Sequence, residues 1–257
     1  MISSYFQGGL GNQMFQIAAA TSLAVDNNDS AVFNMGLHDL PKQGRRCHNY
    51  LNSILRNVSF SSEYKPSNLY QEPHYHHKAI PYSPDLCIVG YFQSEKYFFH
   101  NEKIIKDLFS IDTESEGLIE RKYGDVLKEK TVSVHIRRGD YLSSGGAHPT
   151  CTREYYNNAF SLFPPDTSYL FFSDDISWCK ENFTGDNYYF SEENEDFIDL
   201  YLMSKCPHNI IANSSFSWWA AWLNNNASKR VISPKNWFGA NLNHDTRDVR
   251  PKKWEIV

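Results

Sequence analysis

Cysteine is scarce in this 257-residue chain, and what there is does not pair. Cys47, Cys87, Cys151, Cys179 and Cys206 are scattered, odd in number and form no C-x-x-C. That excludes a disulfide-stapled scaffold and points to reduced, mostly buried thiols. Long apolar runs are missing as well. No stretch reaches the ~20 residues of a membrane-spanning helix, and no signal peptide opens the chain, so a cytoplasmic protein is expected. Positive charge is not in excess: 25 Lys+Arg stand against 30 Asp+Glu, a formal net charge of -5. General nucleic-acid binding is disfavoured, although a local basic pocket for a few phosphates is not. The fingerprint G-x-G-x-x-G is absent, which weakens a nicotinamide-binding reading. D-x-D is absent too, and His74–His77 (HYHH) has no cysteine or carboxylate at ligand spacing, so no metal is expected. Aromatic residues, in contrast, are abundant at 15%. That suits a sugar-handling protein, and equally a well-packed core.

From Thr131 onward strands and helices alternate. TVSVHI (131–136) alternates apolar and polar residues as a strand does. SYLFF (168–172), NYYF (187–190), HNIIAN (208–213) and KRVISP (229–234) read as four more strands. ISWCKENF, EDFIDLYLMSKC and SFSWWAAWL read as the helices between them. Such alternation implies a largely parallel sheet covered on both faces, with ligands at the carboxyl ends of its strands. The first half is less regular. ISSYF, the turn QGGLGNQ, a helix from about Gln13 to Val25 and then AVF make one β-α-β unit. Residues 36–88, rich in Pro, His, Asn, Ser and Tyr, read as loops and short helices. EKIIKDLFSI and LIERKYGDVLKEK look helical. A join between two lobes is placed near Gly117 or at 128–130.

Every polar cluster falls at a strand end. In VSVHIRRGDY (132–141) two arginines follow the strand, where alternation no longer forces them to opposite faces. A guanidinium fork suits phosphate oxygens and stays charged at any working pH. Gly139 lets the chain turn, and Asp140 can pair with one arginine. The segment alone fits equally well a surface loop with an internal Arg–Asp pair. NSSFSWW (213–219) adds weight to the first reading. Ser214 or Ser215 caps a helix whose free amides form an anion site, while Trp218, Trp219 and Trp222 have the spacing of a buried face. FSDD (172–175) ends a strand with two carboxylates. One can read the N1–H and exocyclic amine of guanine, and one can cap the next helix. GGLGNQM (8–14) brings Asn12 and Gln13 to a helix start, with side chains free to face a cleft.

GGLGNQMFQIA, GYFQSEKYF (90–98), VSVHIRRGDY, LFFSDD, LYLMSKCPHNIIANSSFSWWAAWL and VISPKNW, in this order, resemble the α-1,2-fucosyltransferases. The H-x-R and G-N-Q elements resemble those of α-1,6- and protein O-fucosyltransferases. The resemblance implies an α/β, GT-B-like fold of two Rossmann-like lobes facing a cleft. An acceptor-side lobe would span 1–128 and a donor lobe 129–257, with the last residues packing back on the first lobe. It implies transfer of L-fucose from GDP-β-L-fucose, with inversion and without a metal or other cofactor, to the 2-hydroxyl of a terminal β-galactoside. The setting would be O-antigen or surface-glycan synthesis, at or near the inner membrane through a lipid-linked acceptor. By position, Arg137 and Arg138 would bind the pyrophosphate and Arg138 would stabilise departing GDP, with His135 close by. Asp174 or Asp175 would face guanine, and Ser214, Ser215 and Phe216 would contact phosphate. Asn12 and Gln13 would meet the acceptor or glycosidic oxygen. A fucosyltransferase of another linkage and a non-catalytic glycan-binding protein are the alternatives. For the acceptor proton, Asp140 and His135 are the nearest bases in sequence. A dissociative route, with the proton passing to a β-phosphate oxygen, needs neither.

Overall fold

A computed structural model describes residues 1–38, 46–127, 130–193 and 195–257. The chain divides into two compact units, Met1–Ile111 with His244–Pro251 and Asp112–Asn243 with Lys252–Val257. The chain thus passes back into the first unit near its end before finishing in the second. Of the two joins considered in the sequence, Gly117 lies inside a helix of the second unit, and residues 128 and 129 are outside the described residues.

The first unit carries β1 (Ile2–Tyr5), α1 (Leu10–Asp26), β2 (Asn68–Gln71), β3 (Leu86–Val89) and α2 (Glu102–Leu108). Its sheet is parallel with the order β1-β3-β2. The expected β-α-β unit ending in AVF is corrected here: Ala31 and Phe33 make isolated bridges to Ile2 and Phe60. The partner of β1 is LCIV, in register Ile2 to Leu86 through Tyr5 to Val89. Four apolar residues in a Pro-, His- and Tyr-rich stretch are too few to show a period, so this central strand reads as loop. Gly8 makes the turn into α1 with φ +73, and a Cβ there would lie 2.1 Å from Asn12 Nδ2. Gln16 fixes the same turn from beneath. Fully buried, it accepts from Gln7 N–H (3.1 Å) and donates to Gly90 O (3.0 Å).

The second unit carries α3 (Thr113–Tyr123), β4 (Thr131–Ile136), α4 (Arg153–Phe160), β5 (Ser168–Ser173), α5 (Ile176–Asn182), β6 (Tyr188–Phe190), α6 (Asp196–Lys205), β7 (His208–Ile210), α7 (Ser215–Leu223), β8 (Val231–Ser233) and β9 (Glu255–Ile256). Its sheet has the order β6-β5-β4-β7-β8-β9, and every pair is parallel. Every residue of β4 is buried, because helices cover both faces of a parallel sheet. Val132, Val134 and Ile136 enter one core with Tyr155, Tyr156 and Ala159 of α4, Phe171, Ile210 and Ile232. Ser133 and His135 point to the other face. There Asn209 donates to Ser133 Oγ (2.7 Å) and to Met203 O of α6 (2.8 Å), and Asn224 donates to Asn209 Oδ1 (2.8 Å). Trp218 and Trp219 are fully buried and Trp222 nearly so, as their helical spacing predicts. Among the described residues all five cysteines are free thiols, four of them buried. No helix there is long and apolar enough to cross a membrane.

Candidate active site

After β4 the chain continues to β5 and β6 on one side of it, and later to β7, β8 and β9 on the other. The crevice between the carboxyl ends of β4 and β7 is therefore a topological switch point, where open α/β sheets bind ligands. Arg137 and Arg138 follow β4 directly, and the first turn of α7 follows β7. Tyr141 joins the two, its hydroxyl donating to Asn213 O (2.9 Å). Asn213 is buried and donates to Pro149 O and Trp237 O, both at 3.0 Å, which fixes the entry to α7.

Three aspartates hold the arginines. Arg137 lies 2.9 Å from Asp140 Oδ1 through Nη2 and 3.1 Å from Asp174 Oδ2 through Nη1. The Arg138 backbone N–H donates to Asp174 Oδ1 (2.9 Å). Its Nε donates to Asp175 Oδ2 (3.0 Å), and its guanidinium lies 3.8 Å from the ring centroid of Trp178. The remaining oxygen, Asp175 Oδ1, caps α5 by accepting from Trp178 N–H (3.2 Å). Gly139 admits this packing, since a Cβ there would fall 2.5 Å from Asp174 Oδ2. Asp174 and Asp175, the two carboxylates expected at guanine, hold the arginine turn and the start of α5 with all four of their oxygens. Among the described residues Arg138 bonds through Nε alone, which leaves both terminal nitrogens for a ligand.

His135 is 4% exposed, its ring centroid 5.7 Å from that of Phe216, and its Nδ1 is buried without a hydrogen bond. Burial, and then the charge of Arg137, lower its pKa to about 3. It is neutral at any working pH and too weak to serve as a base. Ser214 caps α7, accepting from Phe216 N–H (3.3 Å). Ser215 and Phe216 are half-buried in the first turn, where helix amides lack internal partners and favour an anion.

Asp199, on α6, was not anticipated. Ser191, just past β6, donates to its Oδ1 (2.5 Å). Burial, with Glu193 and Asp196 nearby, raises its pKa to about 7. Its place in a run of apolar helical residues, FIDLYL, was the available signal. Trp178 was missed as well, although it stands three residues beyond the capping Asp175.

In the first unit Asn12 is half-buried and its Oδ1 accepts from Gln93 Nε2 (2.7 Å). GGLGNQ and GYFQ, far apart in sequence, therefore meet. Gln13 is 2% exposed and donates to Gly8 O (2.9 Å). It braces the turn from inside, contrary to the expectation that it faces an acceptor. His74 stacks on His76 and the His77 ring meets Tyr97 at a tilt, and among the described residues no group of three or more His, Cys, Asp or Glu could hold a metal.

Residues 3–257 match the family model for glycosyl transferase family 11. The chain belongs to that family. It is 33% identical to an α-1,2-colitosyltransferase of Escherichia coli over 96% of this chain and 95% of that one. It is 32% identical to the O-antigen biosynthesis glycosyltransferase WbnK of Escherichia coli, over 93% and 95%. A galactoside 2-α-L-fucosyltransferase of Caenorhabditis elegans is 29% identical over 89% of this chain and 70% of that one. The resemblance to α-1,2-fucosyltransferases is thus borne out. The solved structure of the NodZ α-1,6-fucosyltransferase with GDP matches with a TM-score of 0.55 at 14% identity, covering 85% of this chain and 91% of that one. This family 11 glycosyltransferase accordingly has the α/β, GT-B-like fold.

Proposed function

We propose that this enzyme transfers L-fucose from GDP-β-L-fucose, with inversion, to the 2-hydroxyl of a terminal β-galactoside in O-antigen or surface-glycan synthesis. The observation that carries the reading is the clamped arginine pair just past β4 at the switch point, with the terminal nitrogens of Arg138 left open. As the bond from C1 of the sugar to the phosphate oxygen breaks, negative charge grows on the β-phosphate. A fixed guanidinium stabilises that charge by about 3 kcal/mol. The acceptor oxygen bonds to C1 from the opposite side, GDP departs, and the acceptor proton passes to the phosphate. His135 is too weak a base for that proton, and Asp140 is tied to Arg137. Asp174 or Asp175 would meet the guanine edge, and Asp199, bonded by Ser191 just past the carboxyl end of β6, is a further carboxylate suited to it. No metal takes part in this reading, and a lipid-linked acceptor would bring the enzyme to the inner membrane.

The test is incubation of the protein with GDP-fucose and lactose, followed by NMR of the product. An α-L-fucosyl linkage to O2 of galactose is expected, at a rate that EDTA leaves unchanged. A second donor belongs in the same experiment, since the similarity to a colitosyltransferase favours GDP-colitose, whose sugar lacks the 3-hydroxyl of fucose. Release of GDP from neither donor would overturn the reading.

A further inference from the structure

The HYHH stretch that the donor chemistry leaves unused sits in the first unit, against the segment that returns from the chain's end. Tyr75 stacks on His244 (centroids 4.9 Å, interplanar angle 19°) and lies 6.3 Å from Tyr91. Asp248 anchors the arrangement, accepting from His77 N–H (3.0 Å) and from Lys96 Nζ (2.5 Å). Tyr91 is 37% exposed, and His74 and His244 are exposed as well. Tyr91 and His244 are thus in contact with Tyr75 and still open to solvent, with Tyr75 half-buried between them.

A second observation bears on the same place. Phe92, buried and bulky, has φ +51, a conformation such residues rarely adopt. The Glu72 carboxylate holds it there, accepting from Tyr91 N–H (2.7 Å) and Phe92 N–H (3.1 Å). A kinked backbone of this kind costs on the order of 1–3 kcal/mol and persists where the surroundings fix it, commonly at ligand sites. The kink sends the residues on either side of Phe92 in different directions: Tyr91 joins the ring stack, and Gln93 reaches Asn12.

We propose that Tyr91, Tyr75 and His244 form a platform for the terminal sugar of the acceptor, with Asp245, next to His244 in sequence and ion-paired with Arg247, at its polar edge and the Glu72–Phe92 clamp setting its shape. A β-galactoside has one face of C–H groups and a rim of hydroxyls. Aromatic faces bury the first, and a few placed polar groups take the second. The axial 4-hydroxyl leaves the opposite face of galactose continuous, which a gluco-configured sugar does not offer. This inference rests on the transferase reading, but its test does not depend on turnover.

In saturation-transfer NMR on the whole protein with GDP present, galactose protons of lactose should receive saturation and maltose should receive little. His244→Ala and Tyr75→Ala should each raise the lactose Kd at least tenfold, and the acceptor KM with it, with a smaller change in kcat. GDP signals persisting in the same spectra report a folded donor unit. Tyr75→Phe keeps the ring and should stay within threefold of the parent. If Tyr75→Ala does not fold, His244→Ala decides, because that side chain is exposed. A lactose Kd within twofold of the parent in the folded variants overturns the platform. An enzyme that binds lactose normally and releases GDP from neither donor overturns the transferase reading and leaves the platform standing.

Discussion

Adjacent arginines repel, and on a strand they would point apart. Here the chain leaves the strand at Ile136, and three carboxylates divide the two guanidinium groups between them. On the proposed reading the arrangement is preorganised, so no reorganisation would be needed when charge develops on a leaving phosphate. Arg138→Ala should lower kcat about 10²- to 10³-fold, with a much smaller loss of GDP affinity. Lysine should not rescue it, because it lacks both the planar fork and the stack on Trp178. Steady-state kinetics with GDP as competitive inhibitor separate the two effects, and an unchanged kcat would refute the role. Asp175→Ala should act on the same arginine indirectly: it frees Nε and removes the cap of α5. The expected result is a fall in kcat together with about 1 kcal/mol of stability lost in denaturant titration. The sequence showed that Arg137, Arg138 and Asp140 belong together because they are neighbours. It did not show what Asp174 and Asp175 do, since a carboxylate at a strand end reads alike whether it meets a base or an arginine 36 residues back in the chain.

At the scale of elements, the alternation of β4 and the boundaries of α7 were legible, for period and capping are local properties. HNIIAN was read too long: only His208–Ile210 forms strand, and Asn213 leaves the sheet to bond Pro149 and Trp237. β3 was invisible because a buried four-residue strand has no period to show. The start of α6 carries a consequence for pH. Asp199 has a folded pKa raised from 3.8 to about 7 by burial. A raised carboxyl favours the protonated folded state, so its contribution is intact below pH 4 and is lost as pH rises toward 7. Between those limits the ligand-free protein should lose stability by up to about 1.4 kcal/mol per pH unit from this group. Asp199→Asn should flatten that slope in urea titrations at pH 4.5, 6 and 7.5. If the ionised carboxylate also reads guanine, GDP affinity in the parent should rise over the same interval, and the variant should bind GDP weakly at all three values. Parallel slopes in the two proteins would remove Asp199 from both roles.

At the scale of the molecule, two parallel sheets of different size carry different side-chain clusters. The six-stranded sheet reverses its strand order between β4 and β7, and the arginine turn, the capped α7 and Asp199 all gather at its carboxyl ends. The three-stranded sheet carries Asn12, Gln93 and the Tyr75–His244 stack instead. Local patterns revealed the six-stranded sheet's order of motifs, whereas a return of the chain's end to the other unit, which depends on contacts across most of the chain's length, was expected only from the resemblance. This division makes a prediction that needs no catalysis. A ligand that binds only the folded state stabilises it by RT ln(1 + [L]/Kd), about 2.7 kcal/mol at a hundredfold excess over Kd. GDP at that excess should slow amide exchange up to about 100-fold in 135–141, 196–200 and 214–218. Amides of β1, β3 and the 72–77 loop should exchange as before. Hydrogen-exchange mass spectrometry resolves these segments, because each lies on a different stretch of the chain. Protection that appeared first at 8–16 or 90–97 would move the nucleotide to the smaller sheet, and the clamped arginines would then be no more than a structural ion-pair cluster.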